Sequence, residues 1–171
     1  MLDPLEAIIR DSLLDFAREV ARSGWRGRER EAVSLFAFRF LLPQCRQGTP
    51  LFDPAQIGLE VAVPQLPGPG RKPQVCKDLV IWPEPAMVCW DGDGRPVHQP
   101  AAILEWKTRT KKVSLSDEAW LCEYSALASG FIGFAIALDP QDLETSLVAS
   151  RAMEGVLTRE WVRYSGCGPT A

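Results

Sequence analysis

The sequence predicts a single α/β domain with a mixed central β-sheet flanked by helices. Three observations predict this class: an amphipathic helical pattern at the start, apolar residues that alternate at a period of two from Gln56, and an apolar run over residues 130–138. With 46% hydrophobic and 24% charged residues in a chain of 171, the protein can bury one sizeable core. Because no internal boundary divides two cores, we expect one domain over residues 1–171.

The first elements are predicted to be helices. Asp3 followed by Pro4 is typical of a helix start, and apolar residues then recur at helical spacing until Gly24. A second helix is predicted over residues 28–42, and its apolar residues lie almost all round it. We therefore expect this helix to be packed on two sides, in a helical N-terminal part that covers residues 1–44.

The middle of the chain is predicted to form the sheet. The predicted strands are Gln56 to Pro64, Val75 to Trp82, Met87 to Trp90 and Pro100 to Lys107, with the last two joined as a hairpin. A helix over Asp117 to Ser129, a buried strand over residues 130–138 and a helix from Asp139 are predicted to follow. Val156 to Tyr164 fits either an edge strand or a helical turn.

Composition excludes several classes of function. A net charge of −3 excludes a polycationic nucleic-acid coat, so a polyanion would be held by a local patch or a metal. Five Cys without a Cys-x-x-Cys pair argue against a disulfide framework and a zinc site, and they indicate the reducing cytoplasm. The single His98 argues against a histidine-based triad or metal cluster. Neither a signal peptide nor a membrane-spanning run is predicted.

One group of residues could carry chemistry. Alternation along a strand places Glu105 and Lys107 on one face of the sheet and Trp106 on the other. Asp78 begins the apolar stretch of a neighbouring strand, where a charged residue is disfavoured unless it is exposed, paired or bound to a metal. Two such carboxylates can chelate a hard divalent cation, although they would repel each other without it. A Glu-x-Lys pair alone is more often a solvated sheet face.

The order of elements together with Asp78, Glu105 and Lys107 resembles the PD-(D/E)xK nuclease superfamily. The resemblance covers residues 28–138 and implies a restriction-endonuclease-like core of αβββαβ order, with residues 139–171 as a C-terminal extension. It implies a Mg²⁺- or Mn²⁺-dependent endo- or exonuclease that hydrolyses phosphodiester bonds, of DNA rather than RNA.

The resemblance also implies a role for each matching residue. Asp78, Glu105 and the backbone carbonyl of Trp106 would hold the metal, and Lys107 would assist the attacking water. Lys77 stands where the superfamily has a proline. In the helix after the acid pair, Tyr124 matches a tyrosine that faces DNA in the recombination nucleases, whereas a tryptophan stands in place of their glutamine.

Two further acids are candidates for a fourth carboxylate. Glu31 is the first, and the alternative is that it caps its helix or pairs with one of Arg28, Arg30 or Arg39. Glu60 is the second, and the alternative is that it simply faces solvent. Both readings stay open for each acid.

Three cations follow the acid pair closely: Arg109, Lys111 and Lys112. They form the best phosphate-contacting surface of the sequence, and the alternative is an ordinary solvated loop. Nucleic acid is therefore the expected partner, and a second copy of the chain or a protein partner could add affinity. The rival functions are a catalytically silent domain of the same fold that binds nucleic acid or protein, and an unrelated α/β binding protein.

Overall fold

The computed structural model describes residues 2–142 and 146–166, so that Cys167 and the rest of residues 167–171 lie outside it. The α-helices are α1 (Pro4–Ser23), α2 (Glu29–Phe36) and α3 (Leu115–Leu127). The strands are β1 (Ile57–Pro64), β2 (Gln74–Ile81), β3 (Ala102–Thr108), β4 (Ile132–Leu138), β5 (Leu147–Met153) and β6 (Val156–Tyr164). These elements confirm the predicted α/β class with one mixed sheet. None of the described helices offers the continuous apolar length that a bilayer crossing needs.

Helix α1 begins and ends where the sequence predicts. The Asp3 carboxylate accepts a hydrogen bond from the Leu5 amide at 2.8 Å, which satisfies one of the amides that a first turn leaves free. At the other end Gly24 has a φ of 66°, a left-handed conformation that glycine adopts at little cost. Arg151 Nη1 on β5 contacts Glu6 Oε1 at 2.5 Å and ties the helix to the sheet.

Helix α2 differs from its prediction. The α-helical part ends at Phe36, a π-helical stretch covers Ala37–Leu41, and a 3₁₀ turn covers Leu42–Gln44. The wider π turn changes the angular positions of the residues that follow, so the apolar pattern does not describe one regular helix. Phe36 is fully buried, but Phe38 is 64% exposed. The expectation of packing on two sides is therefore wrong, since only one face of α2 meets the core.

The six strands lie in the sheet in chain order. All neighbours are antiparallel except β3 and β4, which are parallel and joined by α3 as the crossover. The predicted strand over Met87–Trp90 is wrong, because a single bridge joins Trp90 to Pro96 and β3 pairs with β2 instead. Residues 83–100 contain four prolines, which supply no amide hydrogen for a ladder.

The C-terminal part extends the sheet. The predicted helix from Asp139 is wrong over its described residues, where the Asp142 amide donates to the Asp139 carbonyl at 3.1 Å in a turn. Residues 143–145 lie outside the description. Val156–Tyr164 forms a strand and not a helical turn. It pairs with β5 and is an edge strand of the sheet.

Apolar clusters cover both faces of the sheet. One cluster joins α1 and α2 to residues such as Leu79, Leu104 and Trp106, and the other joins α3 to residues such as Val80 and Ile103. Along β3 the side chains therefore alternate between the two faces, as a period of two requires.

The alternation reverses within β1. Leu59 packs in the α1 and α2 cluster, whereas Val61 packs in the α3 cluster. Between them Glu60 has a φ of 53°, a left-handed conformation that is unusual for a residue inside a strand. Residues paired across two strands point to the same face of the sheet. Lys77 on β2 is paired with Val61 and therefore lies on the α3 face with it.

Candidate functional site

Strands β2 and β3 separate where the two predicted carboxylates lie. The ladder between the strands ends at Leu79 and Leu104. Beyond it the Trp106 amide donates to Asp78 Oδ2 at 2.7 Å, and the Asp78 amide donates to Glu105 Oε2 at 3.3 Å. Each carboxylate thus satisfies a backbone amide of the opposite strand. The structure brings Asp78 and Glu105 together at the point where the sheet opens.

Lys77 lies between Glu105 and the ring of Trp120. Its ammonium contacts Glu105 Oε1 and lies 3.6 Å from the centroid of the Trp120 ring. The two side chains of the ion pair are 4% and 9% exposed. Glu105 therefore has a positively charged partner from the chain itself. That partner, Lys77, stands where the resembled superfamily has a proline.

Burial changes the acidity of Glu105. It raises the pKa of this carboxyl from 4.5 to about 7; the Lys77 ammonium opposes the rise and the charge of Asp78 adds to it. The repulsion between the two acids that the sequence predicts is thus present. Lys77 offsets part of this repulsion without a metal, because it supplies a positive charge within the site.

Lys107 lies at the open end of β3 and is partly exposed. Its Nζ donates to the Trp106 carbonyl at 2.7 Å and to Glu29 Oε1 at 3.3 Å, and it lies 3.9 Å from Asp117 Oδ2. Burial would lower the pKa of Lys107, but the charges of Glu29, Asp117 and Asp78 outweigh it and raise this pKa. Lys107 therefore stays protonated beside the Trp106 carbonyl, which the superfamily resemblance implies as a metal ligand.

Glu29 and Asp117 are two acids beside Lys107 that the sequence analysis did not place in the site, and Glu29 was the easier to find. It precedes Val33 by four residues and Phe36 by seven, and both of these are buried. Helical spacing from them would have placed Glu29 on the face that meets the sheet. Glu31 lies on the exposed face instead, where its Oε2 accepts the Arg28 amide at 2.6 Å. Of the two readings for Glu31, the structure gives capping.

Glu60 lies near the open strands without joining the acid pair. Its side chain is 49% exposed and forms an ion pair with Arg30 at 3.2 Å. The register leaves it opposite Asp78, but no hydrogen bond within the described residues joins Glu31 or Glu60 to Asp78 or Glu105. The structure does not bring either candidate fourth carboxylate into contact with the pair.

The three cations that follow β3 are all exposed. Lys111 Nζ lies 2.5 Å from Asp142 Oδ2, on a carboxylate that is only 8% exposed. Across residues 2–142 and 146–166, no acidic side chain forms an ion pair with Arg109 or Lys112. Within the described residues, the charges of these two side chains are therefore not neutralised by an ion pair.

Tyr124 is half-buried and its ring is held by two aromatic contacts. It stacks on Trp120 with ring centroids 4.8 Å apart, and it packs edge-to-face with Phe131 at the same centroid distance. A cavity of about 730 Å³ opens beside the ring, and His98 and Gln99 line it too. Burial raises the pKa of Tyr124 to about 12, so its hydroxyl stays protonated.

The donor set decides which metal could bind. The described part of the chain holds no cluster of three or more His, Cys, Asp or Glu side chains suited to a metal. The donors that remain are the carboxylates of Asp78 and Glu105 and the carbonyl of Trp106. Mg²⁺ needs one or two carboxylates and retains several waters, so this all-oxygen set fits Mg²⁺ and not zinc. Lysine ammoniums contact both Glu105 and the Trp106 carbonyl.

Comparisons with known proteins identify no relative. A scan against protein-family models, a search of curated proteins and a search of solved structures each found no match. The superfamily resemblance therefore stays a prediction from the sequence. The function has to be inferred from the geometry of the chain's own residues.

Proposed function

We propose that the chain is a metal-dependent nuclease built on a restriction-endonuclease-like core. The observation that carries the proposal is the opening between β2 and β3, where Asp78 and Glu105 each bond a backbone amide of the opposite strand. Lys107 lies at the same opening and donates to the backbone carbonyl of Trp106, the residue between Glu105 and Lys107. Two acids and an ammonium around one opening form a set that phosphodiester hydrolysis can use.

Each residue has a defined part in this proposal. Asp78, Glu105 and the Trp106 carbonyl hold Mg²⁺ or Mn²⁺. When bound, such a cation neutralises phosphate charge and lowers the pKa of a water. Lys107 orients the attacking water through its ammonium, which Glu29 helps to keep protonated. No carboxylate other than the acid pair is required.

The substrate is proposed to be DNA. Arg109 and Lys112 are exposed just beyond Lys107, where they can contact the phosphates next to the scissile bond. The preference for DNA over RNA depends on the resemblance alone.

Labelled single-stranded and duplex DNA and RNA, incubated with and without Mn²⁺, test the proposal. We expect metal-dependent cleavage that falls to background in Asp78→Asn, and a loss of about 10²- to 10⁴-fold in Lys107→Met. Lys72→Met is the matched control, because it makes the same exchange at an exposed lysine outside the site. Cleavage that persists at full rate in Asp78→Asn would overturn the proposal.

A catalytically silent domain that binds nucleic acid or protein is the second candidate function. The observation that favours it is the buried ion pair of Lys77 with Glu105, which already gives the acid a positive partner. Calorimetric titration with Mg²⁺ separates the two functions. Saturable binding that Asp78→Asn removes supports the enzyme, and the absence of binding in the wild type supports the silent domain.

A further inference from the structure

We propose that Lys77 competes with the divalent cation for Glu105 and thereby sets the cation affinity of the site. This inference rests on the metal site of the proposed function. It assigns a role to a residue that occupies the place of a proline in the resembled superfamily and that the proposed reaction leaves unused.

The position of the Lys77 ammonium carries the inference. It contacts Oε1 of Glu105, while Oε2 of the same carboxylate accepts the Asp78 amide. Both carboxylate oxygens therefore have protein partners. A divalent cation at Glu105 would be repelled by the ammonium on Oε1, whereas the Asp78 amide is uncharged and belongs to the backbone of β2. The partner that can move is the side chain of Lys77.

Burial makes this competition stronger than that of an ordinary surface lysine. The Lys77 side chain is 4% exposed, so its attraction to Glu105 acts where water screens little. Lys107 is the other lysine at the opening, but its side chain is 41% exposed and already contacts Glu29 and Asp117. Loss of Lys107 would therefore remove a weaker competitor.

Trp120 gives the displaced ammonium a place to remain. The ammonium lies 3.6 Å from the centroid of the Trp120 ring, within the range of a favourable cation–π contact. The Trp120 ring is thus a second partner that attracts the Lys77 ammonium and needs no carboxylate. Lys77 can leave Glu105 while its charge stays beside the site.

Three lysine variants of the full chain test the competition by calorimetric titration with Mg²⁺. The titrations are run at about pH 9, so that protons compete less for Glu105. We expect Lys77→Met to bind Mg²⁺ about tenfold more tightly than the wild type, because the charge-assisted hydrogen bond to be displaced is gone. Lys77→Arg should bind it less tightly, because a guanidinium can hold a carboxylate with two hydrogen bonds. Lys72→Met should match the wild type.

Opposite shifts in the two Lys77 variants support the competition, and they separate it from a purely structural role, which would weaken binding in both. Equal or weaker Mg²⁺ binding by Lys77→Met overturns it. Where Lys77→Met does not fold, lysine ¹⁵N resonances of the wild type give the answer, with Lys77→Arg used for assignment. The Lys77 signal should move as Mg²⁺ saturates the site, and a signal that stays fixed while Mg²⁺ binds overturns the inference.

The cleavage assay keeps this inference separate from the proposed function. Opposite shifts in Mg²⁺ affinity without cleavage of any substrate would support the role of Lys77 and contradict the nuclease. Metal-dependent cleavage with unchanged affinity in Lys77→Met would support the nuclease and contradict the competition. Absence of Mg²⁺ binding in every variant would contradict both.

Discussion

Two lysine–glutamate contacts lie at the same opening of the sheet and differ in their surroundings. Lys77 and Glu105 are 4% and 9% exposed, whereas Lys107 and Glu29 are 41% and 38% exposed. In water the attraction of such a pair is largely screened, whereas in the interior it is strong and each charge depends on the other. The difference teaches that residue types alone do not define the chemistry of this site. Burial makes Lys77 and Glu105 depend on each other, whereas water screens Lys107 and leaves it free to exchange partners.

Replacing Lys77 gives the largest expected effect on stability in this comparison. In metal-free protein at about pH 8, Lys77→Met should lower the free energy of unfolding by about 3–5 kcal/mol, because it leaves the buried Glu105 carboxylate without a positively charged partner. Urea unfolding followed by circular dichroism measures the loss.

The matched control replaces both members of the buried pair. Lys77→Met combined with Glu105→Leu should recover most of the lost stability, since replacing a buried pair by apolar residues of similar size is often neutral. If Lys77→Met alone costs less than about 1 kcal/mol, the pair behaves like a surface pair and the contrast with Lys107 is lost.

Local signals in the sequence predict much of the fold. Asp3 and Gly24 bracket α1 because a cap and a left-handed glycine act within one turn of the chain. Alternation places Glu105 and Lys107 on the face opposite Trp106, because β3 is regular up to its end. These predictions needed only the residues of one element.

The role of Lys77 could not be predicted in this way. Counting back from Leu79 by twos places Lys77 on the α1 and α2 face, whereas the structure places it against Trp120 on the other face. The reversal occurs at Glu60 and Asp78, where β1 and β2 depart from regular alternation together. Such a departure depends on the pairing of two strands and leaves no periodic signal in either.

Glu29 and the loop after β2 were missed for different reasons. Helical spacing could have placed Glu29 on the buried face of α2. Apolar residues on the exposed side, such as Phe38, made it unclear from the sequence which face packs on the core. Met87–Trp90 has the composition of a strand, yet β3 pairs with β2 and leaves it with one bridge. Pairing partners are chosen by the whole sheet, so a short apolar run alone does not identify a strand.

The pH dependence of stability gives a second, smaller test of the buried pair. Burial raises the pKa of Glu105 to about 7 from an ordinary value of 4.5. The folded chain therefore binds this proton more tightly than the unfolded chain, and stability falls as the pH rises from about 5 to about 7. We expect Glu105 to contribute a loss of roughly 1–3 kcal/mol across this range in metal-free protein.

The difference between wild type and Glu105→Gln isolates this contribution, because all other groups titrate in both. Urea unfolding of the two proteins at several pH values measures it. A difference that stays constant between pH 5 and 7, or that changes in favour of the wild type as the pH rises, contradicts the raised pKa of Glu105.

The smallest effect is expected at the exposed pair. Lys107→Met should change the free energy of unfolding by no more than about 1 kcal/mol, because water and salt already screen the contacts of Lys107 with Glu29 and Asp117. The change should shrink further when the salt concentration rises from about 0.1 M to about 1 M, where the Debye length falls from about 10 Å to about 3 Å. The cost of Lys77→Met should keep most of its size over the same range, because its pair is buried. Urea unfolding of both variants at the two salt concentrations measures this contrast. A cost of Lys107→Met that equals that of Lys77→Met and does not depend on salt would show that Lys107 depends on its carboxylate partners as strongly as Lys77 does, and Lys107 would then not be free to orient a water.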